Sequence, residues 1–183
     1  MPILGTARLV LRPFAVDDAV RVATLSRSRR VAHYLVHPPP SPAVEARHWI
    51  GGHAARWADG RSVTLAVTAR RGGAVMGAVN LLINQRHGHA ELGYWLGPTY
   101  WGRGFATEAA AALVAWAFPA LRLERVYAQY LDDNRASGRV LEKIGMLREG
   151  VRRHHVKKDG RYLDAHQYGL LRKEWRKRWP VKS

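Results

Sequence analysis

Cysteine is absent from the 183-residue chain, which removes disulfides, thiolate metal ligands and an enzyme-bound thioester together. No thiol nucleophile is available, and the composition fits a reducing compartment. Acidic residues are scarce: 14 Asp plus Glu stand against 30 Lys plus Arg, giving a formal net charge of +16 and a pI near 11.1. Long apolar runs are missing too. The longest, Ala109 to Phe118, is too short to cross a bilayer, and the chain reaches Arg8 without a signal-type hydrophobic core. These absences set the expectation of a cytoplasmic protein without membrane contact. No repeat, low-complexity stretch or linker divides the sequence, so residues 1–183 are expected to form one domain.

With 47% hydrophobic residues and seven Trp, the chain is too apolar for a disordered polycation. It should fold under a strongly positive surface. Such a surface attracts polyanions: nucleic acid, the ribosome, an acidic membrane, or a small ligand carrying several phosphates. Charge alone does not choose among them, and a basic proteome would raise it without functional meaning.

The organisation is that of a mixed α/β sheet. Arg8-Leu9-Val10-Leu11-Arg12 alternates as a strand, Pro13 closes it, and Asp17 or Asp18 caps a helix running to about Ser26. Prolines make His37 to Pro42 a loop, and Ser41-Pro42 reads as an N-cap followed by proline at the first helical position. Ala46, Trp49, His53 and Trp57 then recur at helical spacing, as a core stripe or as a substrate-lining face. Three strands follow around Val63 to Val67, Val75 to Ile83 and Ala90 to Leu96, an antiparallel meander. A helix from Phe105 to Phe118 is stopped by Pro119; a strand spans Val126 to Leu131 and a helix Ser137 to Ile144, with Gly145 at its C-terminal cap. This strand-helix-strand alternation implies a parallel pair inside an otherwise antiparallel sheet. Asp159-Gly160 marks a hairpin between strands at about Arg148 to Lys157 and Arg161 to Leu171, for seven strands in all.

The segment from Glu91 to Glu108 carries the chemistry: a strand, a glycine-rich loop, then a helix starting near Gly104. Unpaired amides at a helix start, approached closely past Gly102 and Gly104, make a phosphate cradle, and Arg103 adds a charge. A P-loop is excluded because no Lys-Ser or Lys-Thr follows the second glycine. A dinucleotide fingerprint fits badly, with Thr107 where its third glycine belongs and an antiparallel meander upstream.

Trp101-x-x-Gly104-x-Ala106 after that strand resembles motif A of the GNAT superfamily of N-acetyltransferases, with Trp in place of the usual Gln or Arg. Four more segments resemble the branch that acetylates ribosomal-protein amino termini. They are Thr6 to Pro13, Glu91 to Leu96, Asn134 to Ser137 with Val140 to Gly145, and Glu149-Gly150, in order along nearly the whole chain. The resemblance implies a single-domain, mostly antiparallel seven-stranded sheet with flanking helices. Its two parallel neighbours, ending near Leu96 and starting near Arg125, splay apart around acetyl-CoA. It also implies that the main chain of Tyr94, Trp95 and Leu96 pairs with the pantetheine arm. The loop Gly102, Arg103, Gly104, Phe105, Ala106 and Thr107 would hold the pyrophosphate, and Asn134 would cap its helix, contact the cofactor, or both. No metal is implied.

Direct transfer to an amine needs a proton acceptor for the nitrogen and a proton donor for the departing thiolate. Many relatives place a Tyr seven residues beyond the Asn; this chain has Leu141 there, which leaves Ser137, matching a serine assigned the acid role in the ribosomal branch. Glu91 matches a recurrent Glu and is the candidate base. A Glu carried by that branch on the penultimate strand is here Val156, beside His154 and His155, so the base stays open. From about Arg172 a basic tail has six basic residues among the last twelve, interleaved with Trp175 and Trp179. That suits RNA or ribosome contact, or a solvated tail with Trp packed on the sheet. Two functions follow: an acetyl-CoA-dependent N-acetyltransferase acting on a protein amino terminus or small amine, or a noncatalytic RNA- or ribosome-binding module keeping the fold.

Overall fold

In chain order the elements are β1 (Leu4–Gly5), β2 (Leu9–Arg12), α1 (Asp18–Ser26), α2 (Arg29–Tyr34), α3 (Ala43–Ala58), β3 (Ser62–Ala69), β4 (Val75–Asn84), β5 (His89–Leu96), α4 (Phe105–Ala120), β6 (Arg125–Leu131), α5 (Arg135–Lys143), β7 (Leu147–Lys158), β8 (Arg161–Leu171) and α6 (Arg172–Arg178). The computed structural model describes residues 1–36, 40 and 42–178. The strands form one sheet in the order β1-β2-β3-β4-β5-β6-β8-β7, antiparallel throughout except for β5 and β6. The count is eight, one more than the alternation predicts, because Leu4 and Gly5 pair with Leu11 and Val10 over a stretch too short to show a period.

Helices cover both faces. One face carries the larger core, in which Ala109, Leu113, Ala117 and Phe118 of α4 meet Leu65, Val79, Leu81 and Leu92 of the central strands; Leu141 of α5 and Trp175 of α6 join it. Phe118 is wholly buried and stacks on Trp175 at 5.2 Å. The start of the expected tail is therefore a helix docked through its indole, while Trp179 lies outside the described residues. On the opposite face α1 and α3 pack Ala19, Val22, Ala46 and Ile50 against Ala66 and Val75. Each fully buried Leu or Phe contributes about 1.5–3 kcal/mol, enough that Leu113→Ala would cost about 2–5 kcal/mol.

Caps follow local chemistry. Gly145, at φ +89°, closes α5 in a Schellman arrangement, its N–H donating to Glu142 and that of Met146 to Leu141, both at 3.0 Å. Asp159 and Gly160 both take positive φ, as a two-residue hairpin needs. Two expectations shift slightly. Pro119 lies inside the last turn of α4 rather than ending it, where its missing N–H costs one helical bond at the frayed end. Pro42 occupies the N-cap position of α3 itself, with Ala43 first in the helix; Ser41 lies outside the described residues.

Candidate active site

β5 and β6 pair only at their amino-terminal ends, His89 with Arg125, Ala90 with Val126 and Glu91 with Tyr127. Beyond Glu91 they diverge. β5 stays hydrogen-bonded to β4 as far as Leu96, and β6 stays bonded to β8 as far as Leu131, so each strand follows its outer neighbour. The gap between them opens the middle of the sheet, and a cavity lies on each side of the free end of β5.

The first cavity, of about 910 Å³, is walled by the end of β5, the loop into α4, the start of α5 and one side of α2. Tyr94, Trp95, Leu96, Gly102, Gly104, Phe105, Ala106, Thr107, Asn134 and Ser137 all line it. Gly102 and Gly104 take φ of +73° and +77°, which any side chain would strain. Gly104 is the N-cap of α4 with no side-chain cap, so the first-turn amides face the loop. Trp101 braces the turn by donating its indole N–H to the Leu96 carbonyl at 2.7 Å. From outside, Arg8 donates to the Arg103 carbonyl at 3.0 Å and to Glu108 at 2.6 Å, while Thr6 donates to Glu108 at 2.6 Å. Burial pushes the Glu108 carboxyl up, but these donors outweigh it and hold it below the usual range. The amino-terminal strand motif thus clamps the glycine loop.

Arg103 does not line the cavity; its guanidinium lies 5.1 Å from the centre of the Phe105 ring. The positive lining comes instead from Arg30, Arg135, Arg139 and Lys143, against Asp132 and Asp133. Sequence reasoning missed these four, because cations at helical spacing read as a solvated face. It also missed α2, too short for periodicity. Arg30 lies 4.9 Å over the Trp101 ring, and Tyr34 packs 5.9 Å from it. At the other end of α2, Lys158 from the β7–β8 hairpin donates to the carbonyls of Ala32, His33 and Leu35.

Asn134 caps α5, its side-chain oxygen accepting the Ser137 N–H at 3.2 Å. Ser137 faces the cavity, and its Oγ lies 2.7 Å from the Tyr94 hydroxyl. Leu141 is fully buried in the core. Glu91 stands at the last paired position of the splay and accepts from the Tyr127 hydroxyl at 3.4 Å; it lines neither cavity. His154 and His155 also line neither: they sit at a bulge of β7, with His154 at φ +51°. Glu149 is engaged in a bidentate pair with Arg125.

The second cavity, of about 880 Å³, lies between α3 and the face of β3, β4 and β5. Trp49, His53, Asn80 and Trp95 line its depth, and Val44, Glu45, His48 and Leu82 its exposed side. The expected core stripe therefore divides: Ala46 is buried in the core, Trp57 packs on the larger cluster, and Trp49 and His53 face the cavity. His53 is 4% exposed and its Nδ1 finds no hydrogen-bond partner. Burial, then the neighbouring Arg56 charge, push its pKa down to about 4, so it is neutral at physiological pH. Both cavities share Leu35, Tyr94 and Trp95 as a common wall.

Residues 8–147 match the family model described as an acetyltransferase (GNAT) domain. The chain belongs to the GNAT acetyltransferases. Among similar proteins, "Uncharacterized N-acetyltransferase p20" of Bacillus licheniformis is 30% identical over 176 residues, covering 96% of this chain and 99% of the relative. Spermidine N(1)-acetyltransferase of Escherichia coli (strain K12) is 28% identical over 166 residues, 86% of this chain and 87% of that one. Among solved structures, RimL, a ribosomal L7/L12 alpha-N-protein acetyltransferase in complex with coenzyme A, superposes with a TM-score of 0.85 at 19% identity, covering 93% of this chain and 98% of that one. As a member of this family, the protein is an acetyl-CoA-dependent N-acetyltransferase. Among its described residues no group of three His, Asp or Glu could hold a metal ion, and no helix is long and apolar enough to cross a membrane.

Proposed function

We propose that acetyl-CoA binds in the first cavity, the acceptor amine enters the second, and the acetyl group passes directly between them at the shared wall of Tyr94 and Trp95. The observation that carries this reading is that two cavities of similar size meet on one strand end, one rich in free amides and cations and the other in aromatic surface. The donor brings an activated acyl group on a thiol leaving group. The amides of Gly102 to Thr107 hold its pyrophosphate, and Arg30, Arg135, Arg139 and Lys143 supply countercharge for its phosphates. The edge of Tyr94 to Leu96 that β6 leaves uncovered pairs with its pantetheine arm. Asn134 shapes the start of α5 so that Ser137 meets the leaving sulfur, and Glu91 at the splay receives the amine proton through water.

The acceptor is a single amine on an apolar body, such as a protein amino terminus of the ribosomal kind, in preference to a polyamine. Two indoles line the second cavity, and its lining carries one carboxylate, Glu45, and one guanidinium, Arg56. A second ammonium would find little there to replace its water. Thiol release from acetyl-CoA should be rapid with an amino-terminal peptide or phenethylamine and slow with spermidine; the reverse order would remove this acceptor reading. The exposed Lys173, Arg176 and Lys177 of α6 support an RNA-rich partner such as the ribosome. Failure to cosediment with ribosomes at about 0.15 M salt, where the Debye length is about 8 Å, would end that assignment. A cysteine-free chain suits the cytoplasm; fractionation of expressing cells tests that placement, and recovery outside the cytoplasm would reject it.

A further inference from the structure

The phenol that Leu141 does not provide arrives from another element. Tyr94 projects from the free end of β5 across the splay to the first turn of α5, where its Oη lies 2.7 Å from Ser137 Oγ and 3.1 Å from the Ser137 carbonyl oxygen. Position 141 could not supply it, since Leu141 has no exposed surface. The single phenolic proton can go to either acceptor. Given to the carbonyl, it would draw the serine proton back onto Oη, away from the cavity. Given to Oγ, it leaves the serine proton free to point into the cavity. A phenol is a stronger acid than an aliphatic alcohol and the better donor of the two, and the contact to Oγ is the shorter one. A hydroxyl that accepts such a bond is itself polarised into a better donor.

We infer that Tyr94 is a positioning residue for Ser137: its hydroxyl donates to Ser137 Oγ, fixes the serine rotamer and aims the serine proton at the departing sulfur. The inference rests on the reading of Ser137 as the acid. As the new C–N bond forms, the C–S bond breaks and its electron pair stays on sulfur. Ser137 gives that sulfur a proton and regains one through water from Glu91, which has taken the proton released by the attacking nitrogen. Tyr94 ends the cycle as it began. Burial raises its pKa well above the ordinary phenol value, with the bond to Ser137 opposing, so it remains protonated and is not itself the proton source. The ring also forms part of the wall common to both cavities, which couples the serine to the place where donor and acceptor meet.

A double-mutant cycle on the single-turnover rate tests this, using Tyr94→Phe, Ser137→Ala and the double variant, each checked for folding by circular dichroism. Tyr94→Phe keeps the ring and removes only the hydroxyl. Ser137→Ala is expected to slow transfer by about 100-fold, the lower range for an acid catalyst. Tyr94→Phe is expected to slow it about tenfold with CoA affinity changed less than about twofold, and to add less than about twofold in the Ser137→Ala background, because an interaction already lost cannot be lost again. A full tenfold loss from Tyr94→Phe in both backgrounds would show that the phenol acts independently of the serine and overturn the inference. So would a wild-type rate for Tyr94→Phe beside a slow Ser137→Ala enzyme, with the serine reading left standing. A wild-type rate for Ser137→Ala would overturn the serine reading and this inference together. If Tyr94→Phe misfolds, Ser137→Thr, which retains a hydroxyl within reach of Tyr94, should keep much of the rate; a rate as low as that of Ser137→Ala would contradict a role for the hydroxyl that Tyr94 is inferred to position.

Discussion

The two cavities beside β5 are built on different principles. The first, the proposed donor side, is made of backbone: uncapped amides at the start of α4, two glycines in left-handed conformations and a strand edge that β6 leaves uncovered, trimmed by cations from α2 and α5. The second, the proposed acceptor side, is made of side chains, with Trp49, His53, Asn80 and Trp95 brought together from α3, β4 and β5. A backbone site depends on chain conformation and recognises what every substrate pair has in common. A side-chain site depends on residue identity and is where acceptor preference can change without touching the fold.

This contrast predicts opposite sensitivities. The largest effect should come from Gly104→Glu, which forces a side chain into φ +77° and sets a negative charge where amides meet phosphate. CoA affinity should fall by about 100-fold, equivalent to about 2.7 kcal/mol. Calorimetry finding wild-type CoA binding in the folded variant would break the donor half of the comparison. Next comes Trp49→Ala, expected to raise the KM for the amine about tenfold, or about 1.4 kcal/mol, while leaving the KM for acetyl-CoA within about twofold. A rise in both constants, seen also in Trp49→Phe, would mean that the indole supports the fold rather than the acceptor.

The geometry of the proposed donor side, though not its ligand, was legible in the sequence for a physical reason. A phosphate cradle needs a contiguous run of strand, glycine loop and helix start, and Glu91 to Glu108 displays it in one window. The Asp-Gly hairpin, the Schellman glycine at 145 and the strands of the meander are local in the same sense. The acceptor half was not legible, since Trp49 and Trp95 are 46 positions apart in the chain and meet only when α3 lies across the sheet. Side-chain direction was hidden as well. Arg103 carries the charge expected in the loop but turns onto Phe105, and Arg139 and Lys143, which do face the cavity, look in the sequence like the wet side of a helix. The Tyr94–Ser137 contact joins residues 43 apart in the chain, so no local pattern announces it.

The smallest effect concerns the clamp between the amino-terminal strand and the glycine loop. Glu108 has a carboxyl pKa below its ordinary value of 4.5, so its contribution is present above that value and lost as pH falls through the folded-state pKa. Glu108→Gln should lower Tm by about 2–4 °C near neutral pH, as about 1 kcal/mol does for a chain of this size. The gap should close in acid, where both proteins carry a neutral group. A gap that does not narrow at all as the pH is lowered would assign the effect to packing rather than to charge.

Initial-velocity kinetics with both substrates varied test the central claim most directly. Donor and acceptor in adjoining cavities with direct transfer require a ternary complex, so double-reciprocal plots should intersect for any amine the enzyme accepts. Parallel lines, with acetyl retained on the protein after CoA has left, would report a covalent intermediate and contradict the two-cavity account.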